Sequence, residues 1–259
     1  MQFLKTKRTT RSMNLTKINL REKKFHDKLQ SKKDGRFENI FYKALYNMYE
    51  DFNLYILKKA EKKIVLDYGC GVGSATERIA RFNPEKLVGV DISEVSINKA
   101  VKSAKNLNLQ IEYSVDNCEN TRLKKNTFDL VFGSGILHHL NMKKAINEIN
   151  KVLKDDGEMV FLEPLGTNPL INLYRKLTPK SRSVDEHPFV KKDFDLIASL
   201  FKDVKINYYG FFTLIFFLFY TKPEKSSFFK ILCKLDEYFF KIKYFKNFAW
   251  SVLIIAKKN

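Results

Sequence analysis

The stretch Val65–Leu66–Asp67–Tyr68–Gly69–Cys70–Gly71–Val72–Gly73–Ser74–Ala75–Thr76 restricts what this chain can fold into more than any other. The apolar run from Ile64 to Leu66 reads as a short buried parallel strand; it ends at an acid, and three glycines follow at alternate positions. Ser74 stands where a helix cap belongs, ahead of Ala75, Ile79, Ala80 and Phe82 near helical spacing. Strand, glycine bend and helix start form a cradle for a nucleotide-like ligand, because glycine admits positive φ and lets ligand atoms approach the backbone.

Leu87–Val88–Gly89–Val90–Asp91 supplies a second buried strand that also ends in an acid, placed to accept hydrogen bonds from both hydroxyls of a ribose. Pyrophosphate-binding bends read G-x-G-x-x-G without a preceding acid, whereas this one reads D-x-G-x-G-x-G. An anion beside the first glycine repels a diphosphate and suits an ammonium or sulfonium group. From about Lys62 to about Pro164 the chain resembles the class I S-adenosylmethionine-dependent methyltransferases, whose motif I looks like this bend. The resemblance implies an α/β, Rossmann-like fold: a seven-stranded, mostly parallel sheet with helices on both faces. It implies S-adenosylmethionine as cofactor. The implied cofactor-binding set is Asp67, Tyr68, Gly69, Cys70, Gly71, Gly73, Asp91, Ile92, Asp116, Asn117 and Ser134. In that set Asp67 and the Gly69–Gly73 bend hold the methionine end, Asp91 the ribose and Asp116 the adenine, with Ser134 beside the transferring methyl. A metabolite-binding fold without chemistry is the alternative.

With 259 residues the chain accommodates one domain with embellishments. The expected division is a tail and helical cap over 1–60, then the catalytic domain over 61–259, with insertions at about 164–190 and 210–248. Cys70, Cys118 and Cys233 have neither disulfide nor metal-ligand spacing, which points to a reducing, cytoplasmic compartment and no metal. The basic start, Met1 to Met13, has no apolar segment of a secretion signal. The net charge of +18 fits nucleic-acid binding, attraction to anionic lipid, or a genome rich in A and T that enriches Lys, Asn, Ile and Phe together.

Residues 1 to about 18 read as a loose basic tail, and Leu20 to Lys59 as helical, broken at Asp34–Gly35. Phe37, Ile40, Phe41, Ala44, Leu45 and Met48 form an apolar stripe that Phe52, Tyr55 and Ile56 continue. His26–Asp27, in the first piece, reads either as a substrate-orienting pair or as an exposed helical pair. Ser93 caps the next helix, Ile111–Val115 is a third strand ending at Asp116–Asn117, and Phe128–Gly135 is a fourth. Gly133–Ser134–Gly135 lacks the Pro-Pro-aromatic motif of base- and glutamine-methylating enzymes. His138 and His139 follow; with Ser134 they are the catalytic candidates, since an imidazole titrates near neutrality and can take a substrate proton. Met142 to Leu153 reads as a helix ended by Asp155–Asp156–Gly157, and Glu158 to Glu163 as the fifth strand.

The long connection after strand five carries Arg175, Arg182 and His187 as substrate-binding candidates, with Asp185 and Glu186 beside them; the alternative is an ion-paired loop. A helix near Lys191 to Phe201 follows, then strand six at Val204–Tyr209 and strand seven at Trp250–Ala256 as an antiparallel hairpin. Between these two strands, Tyr208 to Tyr220 is almost wholly apolar. As a helix it would reach roughly 20 Å, short of the ~30 Å of a bilayer core. Phe228 to Phe245 is amphipathic: Phe228, Ile231, Leu232, Leu235, Phe239, Ile242 and Phe245 lie on one side, and Lys230, Lys234 and Lys241 on another. Attachment to the inner face of a membrane, a lid over a greasy pocket and a dimer contact are the open readings. The expected function is methyl transfer to a small hydrophobic acceptor such as a lipid, quinone, isoprenoid or polyketide-like molecule. An RNA-modifying or RNA-binding role is the alternative.

Overall fold

The structure, a computed structural model, describes residues 13, 15–31, 43–179, 182–218 and 222–259. The Asp34–Gly35 break and the Phe37, Ile40 and Phe41 part of the apolar stripe lie outside the described residues, as do most of the basic tail and the end of the apolar run at Phe219 and Tyr220.

Seven strands form one sheet: β1 Ile64–Tyr68, β2 Lys86–Asp91, β3 Glu112–Val115, β4 Phe128–Ser134, β5 Leu153–Pro164, β6 Phe201–Tyr209 and β7 Ser251–Lys258, in the order β3-β2-β1-β4-β5-β7-β6. The first five pair in parallel, and β7 runs antiparallel to both β5 and β6. The helices are α1 Lys17–Ser31, α2 Tyr46–Ala60, α3 Ser74–Ala80, α4 Glu94–Asn106, α5 Met142–Val152, α6 Pro169–Leu177, α7 Lys191–Leu200 and α8 Ser227–Phe239. This is the expected mostly parallel α/β architecture.

Both faces of the central strands are buried, so each reads as an unbroken apolar run. Alternate residues divide between two cores. Leu66, Tyr68, Val88 and Val90 pack with Ile146, Ile149 and Ile197 of α5 and α7 on one face. Val65, Leu87, Leu130 and Phe132 pack with Met48, Phe52, Ile56 and Ile79 of α2 and α3 on the other. The order reverses between β1 and β4, and this switch point is where an open sheet of this kind leaves a crevice at the strands' carboxyl ends.

The structure corrects several local expectations. Helix α1 begins at Lys17, inside the stretch expected to be a tail. Gly73, in a left-handed conformation, occupies the cap position of α3, and Ser74 is its first helical residue. By contrast Ser93 does cap α4, accepting from the Ser96 N–H. The helix α5 ends at Val152, and Asp155–Asp156–Gly157 lies within the span of β5, with Asp156 at φ 59°. The run after β6 is not an α-helix: Phe212–Leu218 forms a tight 3-10 coil. Buried Asp236 of α8 accepts the N–H groups of Phe211, Phe212 and Thr213 together with the Thr213 hydroxyl, tying that coil's start to α8. Helix α8 buries Phe229, Leu232 and Asp236, while Phe228, Ile231 and Leu235 of the expected apolar side face solvent.

Candidate active site

The glycine bend joins β1 to α3. The N–H groups of Gly69 and Cys70 both donate to the Val90 carbonyl of β2, which pulls the bend over the neighbouring strand end. Asp91, half-buried at the end of β2, accepts the Gly71 N–H at 2.9 Å on one oxygen and the Ser93 N–H at 2.8 Å on the other. Burial raises the Asp91 carboxyl above its ordinary value, and these two N–H groups work against that rise. Each oxygen retains acceptor capacity toward the crevice.

Asp67 is fully buried and does not face the crevice openly. It accepts the Thr76 hydroxyl at 2.6 Å and so fastens the first turn of α3 to the end of β1; burial pushes its pKa up to about 7. Tyr68 turns into the core, where its hydroxyl bonds the Cys118 carbonyl; its side chain does not line the site. Cys70 and Cys118 are buried free thiols. At the end of β3, buried Asp116 accepts the N–H groups of Asn117 and Arg122, both at 2.9 Å, and pairs with the Arg122 guanidinium. Asn117 accepts the Glu119 N–H and donates to Asn19 of α1. Ile92 is half-buried beside Asp91, and Ser134 is exposed at the carboxyl end of β4.

Two glycines of the bend differ in what surrounds them. A Cβ at Gly69 would stand 2.5 Å from Ile136 Cγ1, whereas a Cβ at Gly71 would meet nothing within 4 Å. The crevice therefore has room where a ligand would press against the backbone. Gly71→Ala is expected to cost roughly 1–2 kcal/mol of stability, because its φ of 53° is left-handed. It should weaken ligand binding further than that strain explains. Titration calorimetry with S-adenosylhomocysteine checks this; equal affinity in the two proteins would show that the ligand does not approach here.

The turn after β4 brings the two histidines in. His138 is buried; its Nδ1 stands 2.7 Å from Glu163 Oε2. Buried Glu163 also accepts the N–H groups of Ile136, Leu137 and His138. Burial holds His138 down at about 4 and pushes Glu163 up to about 7, so the imidazole is neutral near pH 7 and donates from Nδ1. His139 is also buried, which lowers its pKa, and it lines an open cleft of about 540 Å³ together with Leu140, Met142, Asp185 and His187.

The loop after β5 is strapped down by its own arginines. Arg175 donates to the Leu165 carbonyl and the Asn172 side chain, and Arg182 donates to the Arg175 carbonyl and pairs with Glu186. Both arginines are thus occupied within the loop, whereas His187 is brought to the cleft by its N–H bond to the His138 carbonyl.

Sequence reasoning named His26–Asp27 of α1 but missed Asn19, Arg21 and Glu22 of the same helix and Glu163 of β5. Arg21 forms a two-pronged pair with Asp185 at 2.7 Å, Asp27 accepts the Ser93 hydroxyl, and Asn19 meets Asn117, so α1 lies across the crevice. Tyr113 was also missed. Its ring occupies the space that side chains at Gly73 and Gly89 would need, and a glycine inside the β2 run was the available signal.

Residues 65–157 match the family described as a methyltransferase domain. The chain is 29% identical over 178 residues to phosphoethanolamine N-methyltransferase 3 of Arabidopsis thaliana, covering 65% of this chain and 34% of that protein. It is 32% identical over 124 residues to the sterol 24-C-methyltransferase of Saccharomyces cerevisiae, covering 47% of this chain and 31% of that protein. The chain thus spans about a third of the length of these two relatives. The fold matches that of magnesium protoporphyrin IX methyltransferase from Synechocystis, solved with S-adenosylhomocysteine bound, at a TM-score of 0.60 and 14% identity over 91% of this chain and 94% of that one. The acid-glycine bend, the acid ending β2, the strand order and the matched region agree: residues 65–157 of this chain carry a methyltransferase domain, set in the fold that S-adenosylmethionine-dependent methyltransferases of class I share.

Proposed function

We propose that this protein transfers the methyl group of S-adenosylmethionine to a small, hydrophobic acceptor. The observation that carries the reading is the crevice at Asp91: a half-buried carboxylate holding open a glycine bend that has free space at Gly71. The donor and acceptor chemistry fits the cofactor. Asp91 keeps acceptor capacity for ribose hydroxyls, Asp116 and Asn117 stand at the adenine end, and buried Asp67 contributes negative charge under the methionine end when ionised.

S-adenosylmethionine supplies a methyl group on positively charged sulfur, and its transfer is an in-line displacement. The protein's task is alignment, which supplies roughly 7–11 kcal/mol of a barrier. Ser134 and the His138–His139 turn are assigned to the acceptor side, with His139 as the candidate proton acceptor because it is neutral near pH 7 and reaches the cleft. His138 is assigned to positioning, since Glu163 occupies its Nδ1. Among the loop residues His187 is retained as a substrate contact, and Arg175 and Arg182 as the loop's internal ties.

The relatives' named acceptors include a sterol, which supports an apolar substrate. Phe228, Ile231, Leu235, Tyr238, Ile242 and Tyr244 are exposed on one region beside Lys230, Lys234 and Lys241. Apolar side chains flanked by lysines suit contact with an anionic lipid surface, from which such an acceptor would be drawn. Among the described residues no helix is long and apolar enough to cross a membrane.

Incubation with labelled S-adenosylmethionine and either a lipid extract or total RNA tests the proposal. Label is expected in the lipid fraction. Label in RNA alone would transfer the chain to the RNA-modifying reading that its +18 charge permits.

A further inference from the structure

Helix α1 turns Glu22 and His26, four residues apart and so on one helical face, toward His139 of the turn after β4. Glu22 Oε2 lies 3.1 Å from His139 Nδ1 and 3.7 Å from His26 Nε2, and one ligand-type atom from each of the three lies within 4.8 Å of the others. Glu22 is 5% exposed and His139 9%. The carboxylate's other oxygen is taken by the Ser183 hydroxyl, which leaves Oε2 pointing at the imidazoles. Close as they are, Glu22 Oε2 and His139 Nδ1 lack hydrogen-bond alignment, and neither has another hydrogen-bond partner. Buried polar atoms without partners are costly, so a shared partner between them is the economical arrangement.

We propose that Glu22, His26 and His139 bind a divalent first-row transition-metal ion of the zinc or iron(II) kind. An ion about 2.0–2.2 Å from each ligand sets the donor atoms roughly 3.0–3.5 Å apart. Glu22 Oε2 already has that spacing to His139 Nδ1 and stands slightly beyond it from His26 Nε2, while the two imidazole donors, within 4.8 Å of each other, close the rest by a turn of the half-exposed His26 ring. Two imidazoles and one carboxylate suit Zn²⁺ or Fe²⁺ over Mg²⁺ or Ca²⁺, which prefer all-oxygen surroundings. His138 and Glu186 form a second such group with His139. An ion here fastens α1 to the sheet. Three protein ligands also leave a coordination position free for water or an acceptor oxygen.

The test uses the full chain without a histidine tag, stripped with a chelator and titrated with Zn²⁺ against a chromophoric competitor, in the absence of S-adenosylmethionine. Co²⁺ is added separately to read visible ligand-field bands. One ion per chain at micromolar metal is expected, with a rise in melting temperature. Glu22→Gln and His26→Ala should each weaken binding by more than about 100-fold, since even outer-shell partners change metal affinity ~10–100-fold. Far-UV circular dichroism confirms that the variants fold; His26 is half-exposed, so its loss is tolerable to the fold. Absence of binding at micromolar metal, or binding unchanged in both variants, overturns the site. Because the metal is probed alone, either result leaves the methyl-transfer assignment standing on its own test.

Discussion

Asp91→Ala is expected to weaken binding of S-adenosylmethionine by about a hundredfold or more, with the chain still folded. Two losses combine. The carboxylate that would receive the ribose hydroxyls disappears, and hydrogen bonds to a charged group contribute about 1.5–3 kcal/mol each. The Gly71 and Ser93 N–H groups also lose the anchor that fixes the bend against β2. Gly71 is half-buried, so water can replace the carboxylate there, whereas fully buried Ser93 is left short of a partner, so part of the loss falls on stability and the larger part on affinity. Calorimetry on the variant, alongside a denaturation curve, separates the two. An affinity within threefold of the parent would remove the ribose assignment and with it the main support for the cofactor site.

Glu163→Ala should produce the largest loss of stability of any single change at the site, about 3–5 kcal/mol. Glu163 is 1% exposed and receives three successive backbone N–H groups and the His138 ring. Truncation strands these donors without water, at about 1–3 kcal/mol for each that stays unpaired. Glu163→Gln preserves one acceptor oxygen and the volume, so it should recover most of the loss. Urea denaturation of the three proteins checks the order. A cost below about 1 kcal/mol for alanine would mean that the turn carrying His138 and His139 is held by something other than this carboxyl.

The central strands and the bend were legible because each is encoded by neighbouring residues. Burial on both faces turns β1, β2 and β4 into plain apolar runs, and Asp67, Gly71 and Asp91 sit at their ends. What was not legible depends on elements far apart in the chain. Glu22 reads as an ordinary helix-surface residue, and His26 as one of an open pair with Asp27, until α1 is laid over His139, and Glu163 reads as a strand-end acid until the Ile136–His138 turn folds onto it. Helix α8 shows another limit. Periodicity marked Phe228, Ile231, Leu232 and Leu235 as one apolar side; of these four only Leu232 is buried, Phe229 joins it in the interior, and Asp236 sets the facing by bonding the Phe211–Thr213 backbone. At Ser74 the left-handed geometry available to Gly73 took the cap position.

Helix α1 is attached to the rim of the crevice at Asn117, Ser93 and the Ser183–Asp185 segment, points that belong to different parts of the chain. A nucleoside-sized ligand seated in the crevice would therefore lie beneath a rod tied down at several of its edges. On the proposed function, the ties of α1 add to the grip on the donor, and cutting one such as Arg21–Asp185 is expected to loosen that grip.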